Sequence, residues 1–93
     1  MMKIDECPDT LDGATVLSAG LPRENGCSLI DGQEVPIVAY AIAKYDTEDG
    51  YYLFALSESW TVIGDTYWPS LDEAKRQGEY EAGILLDDWK DRR

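Results

Sequence analysis

Pro36-Ile37-Val38-Ala39-Tyr40-Ala41-Ile42-Ala43-Lys44-Tyr45 is followed by Asp46-Thr47-Glu48-Asp49-Gly50 and then by Tyr51-Tyr52-Leu53-Phe54-Ala55-Leu56-Ser57. The first and last of these runs are rich in β-branched, aromatic and small residues, which suit a pleated surface. The acidic stretch between them is turn chemistry, with Gly50 available for positive φ. Ser57-Glu58-Ser59 turns the chain again, and Trp60 to Tyr67 forms a third strand-like run. Short turns require antiparallel neighbours, so the spacing predicts a three-stranded meander over residues 36–68.

Pro69 stops the sheet. Ser70-Leu71-Asp72-Glu73 is a capping box that opens a helix from about Leu71 to Ala82, and Gly83 is placed to close it in a left-handed conformation. The residues after the helix, 84–93, form a tail apolar enough at Ile84, Leu85, Leu86 and Trp89 to fold back on the body. Upstream of Pro36, turn pairs such as Asp12-Gly13, Asn25-Gly26 and Asp31-Gly32 interrupt short apolar pieces. Residues 1–35 therefore read as an irregular lead-in holding at most a short strand or a helical turn. The expected class is α+β, in one domain, with one C-terminal helix packed on a face of the meander.

The face assignment follows from alternation. Ile37, Ala39, Ala41, Ala43 and Tyr45 share one side of the first strand, and the helix stripe Leu71, Ala74, Gly78, Ala82 is similarly small. Small residues on both partners predict that the helix lies across that side. Val38, Tyr40 and Ile42 make the other side apolar too. It is joined by Tyr52, Phe54 and Leu56 or by Tyr51, Leu53 and Ala55, depending on register. A sheet with two apolar faces needs two covers. The chain ends supply the second one, or a partner or second copy of the chain does.

Composition narrows the function. Nineteen Asp and Glu stand against eight Lys and Arg, a formal net charge of -11 over 93 residues, with no histidine. Such a surface repels nucleic acid and anionic membrane and attracts basic proteins. There is no basic stripe for phosphates, no phosphate-binding glycine loop, no calcium loop and no histidine-based catalytic arrangement. A carboxylate pair drawn from Asp65, Glu79 and Glu81 would suit acid–base chemistry, but nineteen carboxylates offer many accidental pairs and 93 residues leave little room for a substrate cleft, so no enzyme is expected. No apolar run spans a bilayer and the first residues lack a secretion layout, so the chain is expected in the cytoplasm with Cys7 and Cys27 as thiols. Neither a cofactor nor a metal is expected.

Two acidic clusters remain, Asp46, Glu48 and Asp49 on a hairpin tip and Glu79, Glu81, Asp87 and Asp88 at the helix end. Tyr67 and Trp68 sit beside the Pro69 corner. Asp46, Glu48, Asp49, Tyr67, Trp68, Glu79 and Glu81 are the expected contacts for a basic protein partner, since Tyr and Trp anchor interfaces and carboxylates steer cations. A homodimer on the second sheet face and a DNA mimic with acids along one edge are the alternatives.

Tyr52-Leu53-Phe54, Trp60-Thr61-Val62-Ile63-Gly64-Asp65-Thr66 and Ser70-Leu71-Asp72-Glu73-Ala74-Lys75, with Gln77 and Glu79-Tyr80-Glu81, together resemble a group of small bacterial proteins. Some of that group are similar to immunity proteins, which sit beside polymorphic toxins and block them. The resemblance spans Pro36 to Trp89 and implies an inhibitor of a basic toxin, such as a nuclease. It carries no contact residue onto this chain.

Overall fold

Two Asp-Gly pairs in the first third of the chain each close a hairpin. Asp12 and Gly13 have φ of 50° and 85°, and Asp31 and Gly32 have φ of 52° and 80°. Both pairs hold the left-handed geometry of two-residue hairpin loops. The computed structural model describes residues 3–24 and 26–92. In it, Asp12-Gly13 joins β1 (Thr10–Leu11) to β2 (Ala14–Gly20), and Asp31-Gly32 joins β3 (Gly26–Ile30) to β4 (Gln33–Ile37). The expectation of an irregular lead-in over residues 1–35 is thus overturned.

The meander follows as β5 (Ala39–Lys44), β6 (Tyr51–Leu56) and β7 (Val62–Trp68). It is part of a larger sheet, not the whole of one. The order is β1-β2-β5-β6-β7, antiparallel throughout, and β8 (Lys90–Asp91) pairs with β2 as well. β3 and β4 form a separate two-stranded sheet. Eight strands are found among the described residues, with strand at 45% and helix at 20%, so the fold is mostly β rather than a three-stranded α+β meander. Pro36 and Ile37 end β4 instead of opening β5. The break falls at Val38, whose N–H donates to the Leu56 carbonyl at 2.9 Å.

A bulge explains why β2 is hard to read. Val16 pairs with Ala43 and Ala19 with Ala41, with a register shift between Val16 and Ser18. The extra residue switches parity. Ala14, Val16 and Ala19 point to one face, while Ser18 and Gly20 lie opposite Ile42 and Tyr40 on the other. Plain alternation along the sequence misses this.

The first face is curled inward on itself. Val16 and Ala19 of β2, Ala39, Ala41 and Ala43 of β5, and Phe54 and Leu56 of β6 form one buried cluster with Cys7 and Leu11, and Ile4, Trp60 and Val62 pack at its margin. Alanine suits this side because a concave surface leaves no room for long side chains. The helix α1 (Leu71–Ala82) lies on the other face, against Tyr40, Ile42, Leu53 and Ala55. This corrects the expected helix placement: the alanine row on β5 belongs to the inward fold of the sheet. It also removes the Val38-Tyr40-Ile42 face as an open surface, since Tyr40 is 4% exposed and Ile42 is fully buried.

α1 starts where its capping box dictates. The Glu73 amide donates to Ser70 Oγ at 3.2 Å, and the Ser70 hydroxyl donates to the Glu73 carboxylate at 2.9 Å. Gly83 ends it at φ 74°. The tail then returns under the helix, with Ile84 and Trp89 buried in the same cluster. The buried Ser18 hydroxyl donates to Asp91 at 2.7 Å, and Lys75 reaches the same oxygen at 2.9 Å. These two hydrogen bonds, Ser18 first, hold the Asp91 carboxyl below the usual range. Arg92 donates to the carbonyls of Cys7 and Pro8 and to the Asp9 carboxylate, tying both chain ends together. Both cysteines are free, Cys7 buried and Cys27 exposed.

Tyr40 offers a direct check on the helix placement. Burial, followed by the nearby Glu81 carboxylate, pushes its phenol up to about 12. The folded value lies above the unfolded one near about 10. The stabilisation from keeping Tyr40 neutral is therefore whole below about pH 10 and lost as pH rises towards about 12. Ultraviolet titration of the folded protein should show a phenolate step at about pH 12, and Tyr40→Phe should abolish it. A single shared phenolate transition near the ordinary value would contradict the buried position.

Candidate protein-docking site

The β5–β6 hairpin tip carries the densest exposed charge of the meander. Asp46, Glu48 and Asp49 are all exposed there. The tip is ordered from within: the Glu48 amide donates to the Tyr45 carbonyl at 3.2 Å, Lys44 Nζ donates to the Glu48 carbonyl at 2.6 Å, and the Tyr52 hydroxyl donates to Glu48 Oε1 at 2.9 Å. That last bond is the main reason the Tyr52 phenol is held above its ordinary value, with desolvation next. Lys44 thus directs one of its three N–H donors to a backbone carbonyl.

Register builds an aromatic row beside this tip. Tyr52 pairs with Tyr67 across β6 and β7, and Phe54 pairs with Asp65. Tyr45 meets Tyr52 edge-on at 5.4 Å between ring centres, and Tyr67 meets Tyr52 edge-on at 5.6 Å. Such edge-to-face pairs are favourable beyond their area. Tyr67 remains 53% exposed at the end of the row. The hydroxyl-bearing edge of its ring lies against Gly50, where a Cβ would clash with Tyr67 Cε1, Cζ and the phenol oxygen. Gly50 is needed for this close approach; its φ is not positive, contrary to the turn expectation. The result is a fixed tyrosine surface flanked by four exposed carboxylates, Asp46, Glu48, Asp49 and Asp65, and one ammonium.

The seven expected contacts do not form one surface. Asp46, Glu48, Asp49 and Tyr67 are brought together. Trp68 is not with them: successive strand residues face opposite ways, and Trp68 packs on the helix side with its Nε1 donating to Thr66 Oγ1 at 2.8 Å. Glu79 and Glu81 are exposed on α1. Glu81 accepts from Gln77 at 2.6 Å and lies near Tyr40, close to the start of β5, whereas Asp46 follows its end. Tyr40 and Asp46 are six positions apart in extended chain, roughly 20 Å. The sheet also separates Asp65 from Glu79 and Glu81, so these carboxylates do not pair. Asp65 makes no ion pair with Lys75, which is held by Asp91.

Sequence reasoning missed Tyr45, Tyr52, Gly50 and Asp65 as members of the surface. The signal was present in the Tyr52-x-Phe54-x-Leu56 alternation and in the short hairpins, which set which tyrosine lies opposite which. Three of the cations are held by carboxylates other than the four around Tyr67. Arg23 pairs with Asp88, Lys75 with Asp91 and Arg92 with Asp9, each at 2.9 Å. Arg23 and Asp88 also flank a groove of about 350 Å³ with Ile4, Leu21, Pro22 and Lys90, where their charges offset. No group of His, Cys, Asp or Glu among the described residues is arranged to hold a metal, and no helix there is long and apolar enough to cross a membrane.

No protein-family model matches the chain, and neither a curated protein nor a solved structure shows significant similarity to it.

Proposed function

We propose that this chain is a non-catalytic acidic binding protein of the immunity or inhibitor kind, which acts in the cytoplasm by capturing a basic protein such as a toxin or nuclease. The observation that carries this reading is the exposed Tyr67 ring, locked against Gly50 and Tyr52, with Asp46, Glu48, Asp49 and Asp65 around it. A rigid aromatic anchor costs little entropy to dock. Arginine or lysine side chains of a partner gain both a π face and a carboxylate there. At longer range, the net charge of -11 accelerates encounter with a cationic surface.

The test is kinetic. A basic protein captured from source cells by the wild-type chain is assayed for association between about 0.01 M and about 1 M salt, where the Debye length falls from about 30 Å to about 3 Å. Association is expected to slow by roughly tenfold or more. The triple variant Asp46→Asn, Glu48→Gln, Asp49→Asn should associate more slowly at low salt with a shallower salt dependence, and Tyr67→Ala should mainly speed dissociation. Association indifferent to salt would sink the proposal, as would binding indifferent to both variants.

A further inference from the structure

The two edges of the main sheet are treated differently. β2 has its outer edge covered from Ala14 to Ala19. β1 pairs at Ala14 and Thr15, β8 pairs at Ser18 and Ala19, and between them the Val16 amide donates to the Asp9 carbonyl at 2.9 Å and the Leu17 carbonyl accepts from Arg92 at 2.7 Å. β7 is the opposite edge, and its ladder partner is β6. β3 approaches it at Gly64, where the Ser28 hydroxyl would stand 3.5 Å from an added Cβ. From Asp65 to Trp68, no backbone hydrogen bond leads away from β6 among the described residues, and Asp65, Thr66 and Tyr67 are exposed. In an antiparallel strand, alternate residues present both N–H and C=O to the same side. This stretch therefore offers a short row of free donors and acceptors, framed by the bulge near Ile63 and by Pro69.

We infer that this open edge of β7 accepts an extended, arginine-bearing segment of the basic partner as an added β-strand. The inference rests on the docking reading above and names its mode. Main-chain pairing would supply the affinity, and alternate side chains would supply the choice. Tyr67 and Asp65 are two residues apart on the same face of β7, so they meet alternate side chains of an added strand at cross-strand distance, roughly 5 Å. A guanidinium fits both neighbours, stacking on the ring and forking onto the carboxylate. A second copy of this chain does not fit. Pairing β7 with itself would crowd two Asp65 carboxylates and two bodies of charge -11.

The probe is a short peptide of alternating arginine and threonine, blocked at both ends, added to the full chain. Hydrogen exchange followed by NMR should show the outward amides between Asp65 and Trp68 slowing by roughly tenfold or more on saturation, as expected of newly bonded edge groups. Methylating alternate peptide nitrogens should weaken binding by roughly tenfold, the loss of about two hydrogen bonds. Asp65→Arg, at an exposed position, should shift preference from this peptide to one of alternating glutamate and threonine. Equal binding by the methylated peptide, unchanged exchange at β7, or an unaltered preference in Asp65→Arg overturns strand addition. If the salt-dependent capture persists in that case, docking of a basic partner stands and only its mode is wrong. If capture is salt-independent as well, both readings fall.

Discussion

Trp89→Ala is expected to remove about 3–5 kcal/mol of stability, the usual cost of truncating a buried tryptophan. For a domain whose total is about 5–15 kcal/mol, that is a large share. Trp89 is 6% exposed and is clamped between two glycines. A Cβ on Gly78 of α1 would stand 2.6 Å from its Cζ2, and one on Gly20 of β2 would stand 3.1 Å from its Cε3. The indole is thus the wedge that holds the tail between helix and sheet. Its buried Nε1 has no hydrogen-bond partner among the described residues. An unmade buried bond costs about 1–3 kcal/mol, so Trp89→Phe should be much milder than Trp89→Ala: it keeps a ring and deletes the orphan donor. Gly78→Ala pits two effects against each other. Helix propensity gains about 1 kcal/mol, but the contact at 2.6 Å forces the indole outward, and overpacking of this kind costs about 1–3 kcal/mol. The net should be a loss. Urea unfolding followed by circular dichroism measures all three. A stabilised Gly78→Ala, or a Trp89→Ala within about 0.5 kcal/mol of wild type, would mean the tail does not bind beneath α1.

Ala41→Leu should be the second most damaging change, at about 3 kcal/mol, the upper part of the overpacking range. Ala41 is fully buried, with Ala19 on one neighbouring strand and Phe54 on the other. Leucine brings extra apolar area that would help if space existed. At interior packing density the curled face has none, so displaced neighbours outweigh the transfer gain. The control is Leu29→Ala on β3, where the side chain is 71% exposed and the change should stay within about 0.5 kcal/mol. If Ala41→Leu unfolds at the wild-type urea midpoint, the sheet is flatter and looser than this geometry requires.

Parts of this structure were legible residue by residue. The capping box at Ser70 and Glu73 and the left-handed Gly83 bound α1 through contacts only three to five residues long. The meander strands lie close to where their composition placed them, because each turn between them is short. Asp12-Gly13 and Asp31-Gly32 were equally legible hairpin loops, yet the pieces they join were read as irregular. In β2 the cause is Leu17: the bulge there reverses the alternation, and from Ser18 onward both faces are buried, so no period of two survives. β3 and β4 are exposed at most positions, so burial leaves no clear alternation in them either. The site divides in the same way. Asp46, Glu48 and Asp49 follow from being on a hairpin tip, whereas Tyr52 and Asp65 join Tyr67 only through cross-strand register.

What the sequence by itself determined is local: where turns bend, where the helix begins and stops, and the excess of negative charge. Which face of β5 the helix covers, and which acids share a surface, were decided only by the tertiary structure. The alanines of β5 look like a seat for a helix until β2, Ile4, Cys7 and Leu11 are packed against them. Side-chain neighbours across a sheet are set by closure of distant segments and by one extra residue in a strand, and neither leaves a mark within a short window of sequence.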